Sequence, residues 1–192
     1  MSVFQMYLEL GIEHISDLKG YDHILFLISL IAPFQFFQWK KVLKLITAFT
    51  LGHSISLALS ALNIIQFSIP VIELLIPITI LITALVNLLS SKFIIPKFYT
   101  YEYFITLIFG LIHGMGFSVL LSSLLGMEES IIIPLAAFNI GLELGQILIV
   151  SIILSLTFLI IKYVKIKAIN WTVSLSLVAL ISSTYLIFDR WI

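Results

Sequence analysis

The stretch "IPVIELLIPITILITALVNLLSS", residues 69–91, holds a single ionisable side chain, Glu73. A helix needs about 20 mostly apolar residues to cross the hydrocarbon of a bilayer. A surface helix of a soluble protein would show a charged face, and this stretch has a single charge. It therefore reads as a transmembrane helix. The whole chain agrees, with 61% hydrophobic and 10% charged residues and a mean hydropathy of +1.20, whereas soluble domains carry about 25% charged residues. Ten acidic and ten basic side chains cancel, and no basic patch with interleaved aromatics marks a nucleic-acid partner. There is no cysteine, which removes disulfides, thiolate metal sites and cysteine nucleophiles together.

The same ruler, moved along the chain, gives spans at 21–38, 43–64, 69–91, 101–125, 131–162 and 169–190. The expected fold is all-α: a polytopic bundle of six transmembrane helices in one membrane domain, 1–192. The first span is short. The fifth is overlong and must tilt or kink, with Pro134 marking its true start. Lysines cluster after spans one, three and five (Lys40, Lys41 and Lys44; Lys92 and Lys97; Lys162, Lys165 and Lys167), while Lys19 and Arg190 fall on the other side with Glu9, Glu13, Asp17, Glu128, Glu129 and Asp189. Lysine-rich loops stay cytoplasmic, so both termini are expected outside, in the cytoplasmic (inner) membrane of a bacterium. Residues 2–19 lack the basic start and apolar core of a signal peptide. Their period sets Glu9, Glu13 and Asp17 on one stripe and Phe4, Tyr7, Gly11, His14 and Leu18 on the other. That pattern predicts an amphipathic helix on the outer interface, with His14 turned to the bundle.

Ionisable residues inside a membrane are costly and mark functional sites by default. Four histidines occur: His14, His23, His53 and His113. His53, His113 and Glu143 are expected near the midplane, and Asp22, His23 and Glu73 nearer the outer surface. Asn139, Glu143 and Gln146 share one helical face. Gly110 and Gly114, and Gly141 and Gly145, have the G-x-x-x-G spacing of closely packed membrane helices. Imidazole with carboxylate suits Zn, Ni, Co, Mn or Fe, and missing sulfur disfavours Cu(I). The competing use is a proton relay. Plainer readings stand beside these: Asp22 as a helix cap, His23 as an interfacial ring, and Thr47, Thr50 and Ser54 as ordinary helix-lining hydroxyls.

The segments "GIEHISDLKGYDHILFL" (11–27), "TAFTLGHSISLAL" (47–59), "IELLIPITI" (72–80), "FGLIHGMGF" (109–117) and "FNIGLELGQ" (138–146) resemble successive motifs of the HupE/UreJ family of hydrogenase and urease accessory membrane proteins. The resemblance implies a polytopic permease for a divalent transition metal, nickel or cobalt; the ligand chemistry keeps zinc as a further candidate. By motif position it implies His14, Asp22, His23, His53, Glu73, His113 and Glu143 as metal-pathway residues; the shared helical face adds Asn139 and Gln146 as secondary polar lining. No nucleotide-binding loop is present, so a gradient or a proton would drive movement. Two readings from other classes stay open. One is an intramembrane metal-dependent hydrolase in which Asp22 or a glutamate serves as base; the other is an accessory subunit of a larger membrane complex or homo-oligomer.

Overall fold

The computed structural model describes residues 1–18, 20–65, 68–92, 98–126, 128 and 130–191. Lys19, Lys97 and Glu129, used above for the charge asymmetry, lie outside them. Among the described residues there is no strand. The helices are α1 (Val3–Ser16), α2 (Asp22–Ile31), α3 (Trp39–Ala61), α4 (Ile69–Lys92), α5 (Phe98–Leu125), α6 (Ile132–Leu159) and α7 (Ala168–Trp191). A 3₁₀ turn, Phe36–Gln38, leads into α3, and a π turn, Ile160–Val164, extends α6. Five of these helices, α3 to α7, are long and apolar enough to cross a membrane. Their surface matches that environment: Ile147, Leu148, Ile152 and Leu156 on α6 and Ile181 and Phe188 on α7 are exposed apolar side chains. The chain is an integral membrane protein.

The first expected span, 21–38, is corrected by the structure. Its helix stops at Ile31 after 10 residues, because Pro33 has no N–H with which to continue the helical ladder. At 1.5 Å per residue such a helix reaches about 15 Å, half of a ~30 Å hydrocarbon core. The expected overlong fifth span is one helix, with Pro134 in its first turn, where a missing N–H costs nothing. Beyond it the π turn closes at Lys165, whose φ is 58°.

The N-terminal helix has the expected amphipathic pattern. Ser2 caps it by accepting from the Gln5 amide; Tyr7, Gly11 and Ile15 are buried, and Glu9 and Glu13 are exposed. From Leu8 to Ile15 its apolar face packs on a protein neighbour, while Phe4, expected on that face, is exposed. A Cβ at Gly11 would lie 2.1 Å from the Phe138 carbonyl oxygen, one at Gly141 2.1 Å from that of Leu8, and one at Gly145 2.4 Å from Ile15 Cγ2. Contacts that advance together from Leu8 to Ile15 and from Phe138 to Gly145 mean that α1 and α6 run parallel in backbone contact. Leu18, expected on the inward face, is 79% exposed.

The second G-x-x-x-G pair acts in the same way. Gly110 lies against the Phe49 carbonyl, Gly114 against Ser56 and the His53 carbonyl, and Gly52 against Leu107, so α3 and α5 are also parallel and in backbone contact. Helices α4 and α7 pack against each other, with Arg190 near the end of α7 donating to the Glu73 carbonyl in the first turns of α4. Helix α2 is wedged among α4, α6 and α7: Asn87 donates to the Ser29 carbonyl and Thr172 to that of Ala32. Phe36 beside Phe158, and Trp171 donating to Thr157, gather the Lys40–Lys44 and Lys162–Lys167 groups at one end of the bundle. Both chain termini lie at the opposite end.

Helices α1 and α2 thus run in the same sense, with a bend between them that includes Asp17, Leu18, Gly20 and Tyr21, and neither alone is of spanning length. Irregular backbone at membrane depth is tolerated where it lines a polar cavity. Here the bend, through Asp17 and Gly20, lines the pocket described next.

Candidate metal centre

The α1–α2 break sets His14 in the last turn of one helix and His23 in the first turn of the next, with ring centroids 4.7 Å apart. The close α3–α5 contact brings in the other two histidines. His53 lies 5.6 Å from His14 and 6.1 Å from His23, and His113 lies 5.1 Å from His23. Four imidazoles from four helices therefore share one chamber. One ligand nitrogen from each of His14, His23 and His53 lies within 4.8 Å of the others, a group that could hold a metal ion. His53 and His113 are fully buried and His23 is 7% exposed.

Hydrogen bonding shows what these rings lack. His14 Nε2, His23 Nε2, both nitrogens of His53 and His113 Nδ1 are buried with no hydrogen-bond partner among the described residues. Buried polar atoms are nearly always satisfied, so a concentration of orphans demands an explanation. A cation bound through imidazole lone pairs supplies one. His113 is the best defined of the four. Thr79 Oγ1 donates its only proton to the Ile76 carbonyl at 2.7 Å and lies 2.9 Å from His113 Nε2. The hydroxyl can then only accept from the ring. That assignment of the Thr79 proton puts the ring hydrogen on Nε2 and leaves the Nδ1 lone pair free.

The chamber opens into a pocket of about 160 Å³ lined by His14, Asp22, His23, Glu73, His113 and Arg190. Arg190 Nη2 bonds Asp22 Oδ2 at 2.6 Å while Nη1 holds the Glu73 carbonyl, so one guanidinium ties α2, α4 and α7 together. The Asp22 carboxylate is thus an ion-pair partner. The expectation of a side-chain cap at the start of α2 fails, since the residue at the cap position is Tyr21, with no side-chain cap bond. Glu73 contributes an exposed carboxylate at the rim.

The α6 residues form a separate group. Thr47 donates to Glu143 Oε1 at 2.7 Å and Thr50 to Gln146 Oε1 at 2.8 Å, making a polar seam between α3 and α6 nearer the lysine end than His53. Gln146 Nε2 is buried without a hydrogen-bond partner among the described residues. Asn139 donates to the Leu135 carbonyl of its own helix. The structure therefore brings His14, Asp22, His23, Glu73 and His113 to one pocket, with His53 in the chamber behind it, and leaves Glu143, Asn139 and Gln146 outside the histidine group.

Four contributors are not marked by the sequence pattern. Arg190 looked like an ordinary charge beyond the last span. Thr79 is one of several hydroxyls on an apolar helix, although its i, i+4 relation to Thr83 hinted at a face. Thr47 and Thr50, read as helix lining, are the partners of Glu143 and Gln146.

This fold and site define a polytopic helical membrane protein with a buried multi-histidine chamber open at one end of the bundle. The chain belongs to the HupE/UreJ family: the model described as HupE / UreJ protein matches residues 1–189. The chain matches no curated protein and no solved structure.

Proposed function

We propose that the protein is a permease for a divalent transition cation, nickel or cobalt by family membership, with zinc the alternative that an all-imidazole site also suits. The observation that carries this reading is the cluster of four imidazoles, three of them buried and His14 half-buried, with unpartnered nitrogens, fed by a pocket whose rim is acidic. The cation enters at the end bearing the chain termini, where Glu73 and the Asp22–Arg190 pair set the local charge. It is then held by His14, His23 and His53, with His113 Nδ1 as a fourth donor. Glu143, Gln146 and Asn139 act along the path toward the lysine end, as later stations or as groups that orient them. The lysine end faces the cytoplasm and both termini face outward, by the rule that basic loops remain inside.

The placement of the carboxylates favours carriage over catalysis, with Asp22 paired to Arg190 and Glu73 exposed at the rim. A hydrolytic site needs a free base beside the bound water, and in this chamber Asp22 is held by Arg190. The test is uptake of ⁶³Ni or ⁵⁷Co into proteoliposomes, with His53→Ala and His113→Ala alongside. Uptake by the wild type that both variants lose is the expected result. Wild-type vesicles no faster than empty ones would refute the proposal.

A further inference from the structure

A second cavity, of about 360 Å³, lies toward the lysine end among α2, α3, α4, α5 and α7. Its rim includes Gln35 and Ala168, from the connections at that end, and its walls carry Thr83, Asn87, Thr106 and Glu102. Glu102 is paired with Lys41 at 2.7 Å. The cavity has room for a cation with several waters, each of which occupies about 30 Å³ in the liquid.

Between this cavity and the histidine chamber stand three phenylalanines, and their register repeats on three helices. On α3, Phe49 is four residues before His53, and Leu45, four residues earlier again, lines the cavity. On α2, Phe26 is three residues after His23, and the cavity residue Leu30 follows four later. On α5, Phe109 is four residues before His113 and itself lines the cavity. The rings pack together: Phe26 stacks on Phe49 at 4.8 Å and meets Phe109 edge-on at 6.1 Å. His113 sits against both Phe26, at 4.9 Å, and Phe49, at 5.2 Å. Phe26 and Phe49 are fully buried. The partition is about one helical turn thick, roughly 6 Å at 1.5 Å per residue.

One polar line passes beside it. On α4, Thr79 bonds His113 on the chamber side; Thr83 donates to the Thr79 carbonyl at 2.8 Å, and Thr83, Asn87 and Ser90 line the cavity.

We infer that the lysine-end cavity is a second, releasing chamber for a hydrated divalent cation, closed off from the histidine chamber by a septum of Phe26, Phe49 and Phe109. The inference rests on the permease reading and adds the exit half of the route. Hydrophobic constrictions gate by excluding water, and an alternating carrier keeps one barrier shut while the site communicates with the other face. The two chambers have matching chemistry at their outer limits. Each carries a carboxylate neutralised by a base, Asp22 with Arg190 at one end and Glu102 with Lys41 at the other.

The chain contains no cysteine, so single-cysteine labelling tests this directly. Thr83→Cys reports the cavity, and Ser2→Cys marks the membrane face on which the histidine pocket opens. A membrane-impermeant maleimide is applied to right-side-out and to inverted vesicles. Thr83→Cys is expected to label only from the face opposite Ser2→Cys, and in the Phe26→Ala background to label from both faces. Labelling from neither face, as a lipid-filled void would give, overturns the inference, as does labelling from both faces with the septum intact. An unchanged one-sided pattern in Phe26→Ala overturns the septum. Should Phe26→Ala fail to fold, the half-buried Phe109→Ala supplies the same measurement. Ni²⁺ binding by equilibrium dialysis is measured on each preparation. Its retention shows an intact fold, and its absence from the wild type would refute the cation reading while leaving the two-sided accessibility result to be judged alone.

Discussion

Replacing Thr79 by valine keeps the shape of the side chain and removes one hydroxyl. That hydroxyl makes two bonds, a donation to the Ile76 carbonyl and the acceptance from His113 Nε2. The carbonyl retains its helical surroundings, but the ring does not. Its N–H is left buried with no acceptor, at a cost of about 1–3 kcal/mol. His113 can escape by moving its proton to Nδ1, and the free lone pair then points away from the chamber. Loss of an outer partner that fixes a histidine tautomer weakens metal binding about 10–100-fold, or roughly 1.4–2.7 kcal/mol. Thr79→Val is therefore expected to weaken Ni²⁺ or Zn²⁺ binding by that factor in equilibrium dialysis of the purified protein, and Thr79→Ser to restore it. Full wild-type affinity in Thr79→Val, with His113→Ala strongly impaired, would show that the hydroxyl does not set the ring. Equal loss in the valine and serine variants would show that the effect is one of packing.

Three further outcomes follow from the same geometry. Gly141→Leu places side-chain atoms where the Leu8 carbonyl stands, so α1 must leave α6. Overpacking usually costs about 1–3 kcal/mol and this contact is backbone on backbone, so the melting temperature should fall and His14 should leave the cluster, lowering metal affinity with it. Arg190→Gln strands the Asp22 carboxylate; the double variant with Asp22→Asn should be less destabilised than the two single effects added together, with a coupling of roughly 0.5–3 kcal/mol in a denaturation cycle. Glu143→Gln keeps an acceptor for Thr47 but removes a charge, so bound-metal stoichiometry should stay at the wild-type value while uptake slows. A loss of stoichiometry would move Glu143 into the histidine site.

Much of this architecture can be read from residues 69–91 outward, because a bilayer allows little besides long apolar helices. Five spans and the close approaches at Gly110, Gly114, Gly141 and Gly145 follow from run length and spacing. The first expected span fails for a reason of the same kind. Hydropathy treats 21–38 as continuous, but Pro33 ends the helix early. An amphipathic pattern in 2–19 reports that one face is buried and not what buries it, so the parallel seat of α1 on α6 was not legible. The histidines were found through their cost in hydrocarbon. Pairwise relations across helices were not: Asp22 meets Arg190 across 168 positions, and Thr47 meets Glu143 across 96.

The central claim is that imidazoles from separate helices converge on one cation. X-ray absorption at the metal K-edge, on purified protein loaded with Ni²⁺ and with Zn²⁺, addresses it most directly. The account predicts three or four imidazole nitrogens in the first shell, near 2.0–2.1 Å for zinc, with one fewer in His53→Ala. A first shell of oxygen alone, or a spectrum unchanged in His53→Ala, would contradict it.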